Sequence, residues 1–153
     1  MNNVETTPFG VAEVVLEIEI EASIEKVWAG LTGDVTSWWP RDFYAGSEAI
    51  SFSIEDRLGG RMYEDWGDGQ GLIWAMVTGV QRGKMIQLSG ELTKDFGGPA
   101  RNIMKIEHSE DGAATKLRLT DCVFGRVADK GAESMESGWA FLMGDCLKPF
   151  VEA

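Results

Sequence analysis

The sequence predicts an α+β fold: a curved antiparallel sheet of about six or seven strands wrapped around a long C-terminal helix, with two short helices after the first strand. Three observations carry that prediction. Between Ala49 and Phe124 the chain alternates apolar and polar residues in short runs separated by glycine-containing turns, the pattern of consecutive strands. Connections this short cannot join parallel neighbours, so the strands are antiparallel. From Gly131 to Ala153, Met135, Trp139, Leu142, Met143, Cys146 and Phe150 recur at helical spacing. Such an apolar stripe needs cover, and the concave face of the sheet supplies it.

The elements follow in order. Residues 1–10 are polar and read as a flexible N-terminus, and residues 11–153 read as one domain. In Val11 to Ile20, Val14, Leu16, Ile18 and Ile20 alternate with Glu13, Glu17 and Glu19, giving a strand with one wet face. Ser23 offers an N-cap, and Ile24, Val27, Trp28 and Leu31 form a helical stripe that Gly33 ends. A helical turn over Asp34 to Trp39 stops at Pro40, because the residue before proline avoids helical torsions. Strands then follow at Ile50 to Ile54, Arg61 to Trp66, Leu72 to Val80, Met85 to Gly90, Asn102 to His108 and Lys116 to Phe124. On the Arg57 to Tyr63 stretch, Arg57, Arg61 and Tyr63 share one face and Leu58, Met62 and Glu64 the other, and the sequence leaves open which is inward.

Composition excludes whole function classes. A net charge of -11 repels phosphate backbones and anionic headgroups, so neither nucleic acid nor a membrane surface is an expected partner. No apolar run is long enough to cross a bilayer and no secretory signal is visible, so with only two cysteines a cytoplasmic location is the expectation. The two cysteines, Cys122 in a strand and Cys146 on the last helix, could meet in the core and are read as reduced thiols.

Particular residues also resemble a known family. Ala22-Ser23-Ile24-Glu25-Lys26-Val27-Trp28 with Leu31-Thr32 resembles the first-helix signature of the START-like, birch-allergen-like helix-grip superfamily, often labelled SRPBCC, and Trp38-Trp39 stands where its second-helix tryptophan stands. Asp56-Arg57-Leu58-Gly59-Gly60-Arg61 is similar to the double-glycine strand start of the branch related to the activator of the heat-shock protein 90 ATPase. Ser137-Gly138-Trp139 with Leu142 and Leu147 resembles that branch's closing helix. Two departures stand out: Asp121-Cys122 where relatives often carry a more neutral or histidine-containing strand end, and Pro149 inside the final helix, which should kink or loosen its last turn. The resemblance implies a deep cavity between sheet and final helix, used for lipids, steroids, polyketides and other apolar molecules. In some members polar cavity residues do acid-base chemistry.

The supply of large adaptable side chains fits a cavity: six Trp, seven Phe and seven Met exceed the needs of a plain core. Strand phase sets Phe52, Trp74, Met76, Met104 and Ile106 on the lining, with Met135, Trp139 and Met143 opposing from the helix. Trp39, Phe43 and Tyr63 complete the expected ligand-binding set. An Arg–Tyr pair entering the cavity would suit a ligand carboxylate, whereas surface ion pairing is the plainer reading of those arginines. His108 reads as a strand-end, solvent-touching residue, and Glu64, Asp65 and Asp68 as a solvated turn without the spacing of a calcium loop. No metal, cofactor or catalytic residue is assigned. The expected function is binding of a small hydrophobic or aromatic molecule, lipid-like or polyketide-like. The first alternative is a cofactor-free cyclase, dehydratase or hydrolase using Glu64, Asp121 or His108 as proton carrier. The second is a co-chaperone-like interaction protein, and a homodimer stays open.

Overall fold

A computed structural model describes residues 2–128 and 130–153. Among the described residues seven strands form one antiparallel sheet: β1 (Gly10–Ile20), β2 (Ser51–Ile54), β3 (Arg61–Gly67), β4 (Gln70–Gln81), β5 (Met85–Leu92), β6 (Ala100–Asp111) and β7 (Ala114–Gly125). Their order is β1-β7-β6-β5-β4-β3-β2, so the meander runs from β2 to β7 and β1 pairs with β7 at the far edge. Helix α1 (Ile24–Thr32) and two 3-10 turns, Val35–Ser37 and Arg41–Phe43, fill the link between β1 and β2. The C-terminal segment is α2 (Gly131–Ala140), a π-helical stretch over Phe141–Leu147, and α3 (Lys148–Glu152).

Local chemistry sets these elements. The Ser23 hydroxyl caps α1 by accepting from the Lys26 amide at 3.3 Å, and Val27, Trp28 and Leu31 point into the core. Helix α1 meets α3 at Gly30, where an added Cβ would lie 2.6 Å from the Val151 side chain. In β1 the buried or half-buried positions are Val14, Leu16, Ile18 and Ile20 while the intervening acids are exposed, as the alternation requires. The inward row of β7 is Thr115, Leu117, Leu119, Asp121 and Val123, and that of β6 is Ala100, Asn102, Met104, Ile106 and His108.

Two departures from simple periodicity move residues. Met62 pairs with Ala75 but Tyr63 pairs with Ile73, so Trp74 is an extra residue bulged out of the β3–β4 ladder. The bulge flips the phase of the residues that follow, until a second bulge at Thr78 reverses it: Ala75 and Val77 become buried and Met76 turns outward, 38% exposed. The expectation that Trp74 and Met76 share a lining is corrected by this one residue.

The second departure is in the C-terminal segment, which is not the continuous α-helix that its stripe suggests. The Lys148 amide donates five residues back, to the Met143 carbonyl. Pro149 has no N–H to offer the Asp145 carbonyl, and its ring crowds that oxygen unless the preceding turn widens. Each widened turn holds one more residue than an α-turn, so the buried stripe becomes Leu142, Met143, Leu147 and Val151. Phe150, expected on the stripe, is 37% exposed.

Candidate functional site

Between the inner face of the sheet and α2 the packing leaves a cavity of about 200 Å³. The strands contribute Trp74 from β4, Leu92 from β5, Asn102 from β6, and Asp121 and Val123 from β7. The helical side is Met135, Gly138, Trp139 and Leu142, and Phe43 from the second 3-10 turn completes the lining. An α-helix laid on a concave sheet touches it along one line, and the space beside that line remains open where side chains are too short to fill it. Gly138 is such a position: a Cβ there would meet only the Phe43 ring, at 3.7 Å.

Asp121 is the ionisable group on this wall among the described residues. It continues the apolar row of Leu117 and Leu119, which is why it ends up buried, 4% exposed. Its Oδ1 accepts from Asn102 Nδ2 at 3.0 Å and its Oδ2 from the Trp139 indole at 3.0 Å. Burial pushes the Asp121 carboxyl above the ordinary aspartate range, and the bonds from Asn102 and Trp139 oppose that rise without cancelling it. The Asn102–Asp121–Trp139 chain therefore ties sheet to helix across the cavity.

A second carboxylate braces the opposite side. Glu64 is fully buried, and its two oxygens accept from the Ala45 and Gly46 amides at 2.9 and 2.7 Å and from the Trp66 and Trp74 indoles at 2.8 and 2.9 Å. Desolvation pushes Glu64 up, but the four donors outweigh it and hold the carboxyl below its usual value. The same four bonds fix the loop after Phe43 and the orientation of Trp74. Glu64 is thus not the solvated turn residue expected from its acidic neighbours, because the β3 phase takes Met62 and Glu64 inward.

Of the expected ligand-binding residues, the structure brings Phe43, Trp74, Met135 and Trp139 together on the cavity wall. Trp39, Phe52, Met104 and Met143 lie behind that wall in the packed core. Trp39 stacks on Phe52 at 3.9 Å, meets Trp74 edge-on at 5.6 Å, and donates its indole N–H to the Phe43 carbonyl at 3.2 Å. These residues position the wall without forming it. Tyr63 and Met76 lie on the outer face, where Tyr63 sits 4.1 Å under the Arg61 guanidinium and Arg61 pairs with Glu55 at 2.8 Å. The idea of an Arg–Tyr pair inside the cavity is corrected accordingly.

Asn102, absent from the expected set, shares strand phase with Met104 and Ile106, and that phase is the signal in the sequence that marks it as inward-facing. His108 shares that phase. Strand β6 runs on to Asp111 and Trp28 of α1 covers the ring edge-on at 5.3 Å, so His108 is buried and not solvent-touching. Neither ring nitrogen has a hydrogen-bond partner, and desolvation lowers the pKa to about 4. Cys122 points to the outer face and Cys146 packs against the core, so the sheet separates two free thiols that could not meet. Among the described residues no three His, Cys, Asp or Glu side chains gather to hold a metal ion, and no helix is long and apolar enough to cross a membrane.

Residues 21–152 match the family model described as Activator of Hsp90 ATPase homolog 1-like protein. No curated protein matches the sequence. Solved structures share the fold at low identity. A protein from Chromobacterium violaceum aligns at 17% identity over 92% of this chain and 97% of its own, with a TM-score of 0.67. CalU16 from Micromonospora echinospora aligns at 15% over 96% and 84%, with a TM-score of 0.64. DynU16, described as a putative protein in the dynemicin biosynthetic locus, aligns at 16% over 92% of this chain and 47% of its own, with a TM-score of 0.66.

Proposed function

The chain belongs to the Activator of Hsp90 ATPase homolog 1-like family, and from that premise we propose that it binds a small hydrophobic or aromatic molecule, lipid-like or polyketide-like, between the sheet and the C-terminal helix. The observation that carries the reading is the cavity itself, apolar on most of its wall and furnished with one polar group, Asn102–Asp121. Pockets of this kind use apolar area for affinity and a few polar atoms for orientation. The description of DynU16 as a protein of a biosynthetic locus supports a small-molecule role. A co-chaperone-like role would call for a filled interior, so the cavity supports binding over it.

The expected affinity is modest. Burying an aromatic body of about 150–250 Å² at about 25 cal/mol per Å² contributes about 4–6 kcal/mol before association costs. Probes therefore belong at millimolar concentration. Native mass spectrometry of protein purified from its own host, followed by organic extraction, is expected to recover a bound molecule, and thermal unfolding with aromatic and lipid probes is expected to shift upward. No recovered molecule together with no shift across the panel would sink the proposal.

One observation supports a catalytic variant of the same reading: the Asp121 carboxyl, raised above its ordinary range, faces any occupant of the cavity. In that case Asp121→Asn abolishes turnover of the extracted ligand while it still binds. Full turnover by the variant would leave binding alone.

A further inference from the structure

The hydrogen-bonding capacity left free on the cavity wall is one-sided. Both indole N–H groups there are already used, Trp74 on Glu64 and Trp139 on Asp121. Asn102 gives one of its two amide N–H groups to Asp121 and keeps the other, against several free lone pairs on Asp121 and on its own carbonyl. Each Asp121 oxygen accepts one bond and keeps further lone-pair capacity, so the wall chiefly offers acceptors. Among the described residues no Lys or Arg lines the cavity, which leaves a buried carboxylate without a cationic partner.

We infer, resting on the binding reading above, that the occupant carries a protonated amine on a small aromatic or alicyclic body, with its ammonium N–H groups on Asp121. A ligand carboxylate would meet like charge, and a ketone or ether would bring a second acceptor. A hydroxyl supplies one neutral donor. An ammonium supplies charge-assisted bonds and neutralises the carboxylate. The aromatic side chains of Trp74, Trp139 and Phe43 line the same space and offer flat apolar area to the ligand's ring. The net charge of -11 further enriches cations around the molecule.

The test uses three matched probes, 2-phenylethylamine, 2-phenylethanol and 3-phenylpropanoate, followed at pH 7 through the indole N–H signals of Trp74 and Trp139. The amine is expected to bind roughly tenfold tighter than the alcohol, the difference between an ion pair and a bond in which only the acceptor is charged, and the acid is expected not to bind. Asp121→Asn should bring amine and alcohol to parity. If that variant does not fold, a pH titration of the wild type serves: amine affinity falls as Asp121 takes up a proton while alcohol affinity stays level. Equal binding of amine and alcohol, or tighter binding of the acid, overturns this inference and leaves the cavity reading standing. Silence of all three probes overturns both.

Discussion

Glu64 and His108 meet the same condition, burial, with opposite means of relief. Glu64 has four donors, and Glu64→Ala strands two indole and two amide N–H groups at about 1–3 kcal/mol for a buried donor left without a partner. A total loss of about 3–5 kcal/mol, read from the urea midpoint, is expected because the four donors relax together. A loss below about 1 kcal/mol would show that the network does not hold the fold. His108 has no partner, and its folded pKa of about 4 lies below the ordinary value of 6.5. The unfolded chain therefore binds the proton first as pH falls, so this residue removes stability progressively from about pH 6.5 down to about pH 4, by up to about 3 kcal/mol. Glu64 adds to the acid loss lower down, since its folded pKa is depressed and its stabilisation disappears as pH drops through that value. His108→Leu should flatten the upper part of the profile and leave stability at pH 7 unchanged or higher, because two unpartnered nitrogens are replaced by methyl groups. An unaltered slope between pH 6.5 and 5 in chemical denaturation would reject this assignment.

At the scale of elements, α2 and the π-helical stretch divide the work of the C-terminal segment. Leu142, Met143 and Leu147 anchor the π stretch in the core, whereas α2 has no fully buried residue and leans over the cavity. Gly138 lies where α2 passes Phe43 with ordinary van der Waals room for a methyl group. Gly138→Ala is therefore expected to raise stability by about 0.5–1 kcal/mol through helix propensity and to weaken binding of any probe that fills the cavity. Paired melting and affinity measurements check it, and a gain in both would mean that the occupant sits elsewhere. Gly30→Ala should act the other way. Its methyl would lie 2.6 Å from Val151, so α3 must move off α1 at a cost of about 1–3 kcal/mol. A melting temperature equal to the wild type would show that this helix contact yields freely.

For the whole molecule the dominant quantity is charge. With a net charge of -11 on 153 residues, self-repulsion opposes compaction, and raising salt from low to physiological strength should raise the melting temperature. A decrease would mean that local ion pairs such as Arg118–Glu17 outweigh the general field. The fold class lay in the sequence because it depends on periodicity: alternation in Val14, Leu16, Ile18 and Ile20 makes β1 a half-buried strand whatever it pairs with. Part of the wall was legible as well, since Phe43, Trp74, Met135 and Trp139 are large adaptable side chains of the kind a cavity needs. The rest depended on events that break phase or join distant residues. One bulged residue at Trp74 sent Met76 outward, and a π stretch before Pro149 exchanged Phe150 for Val151. Asp121, Asn102 and Trp139 meet only because β6, β7 and α2 converge, and no spacing along the chain encodes that meeting. The sequence by itself determined which faces are apolar and in what order the elements come, because those are local properties of period and propensity. Only the tertiary structure decided which polar groups are buried together and what each one lacks, because hydrogen-bond satisfaction belongs to the packed interior.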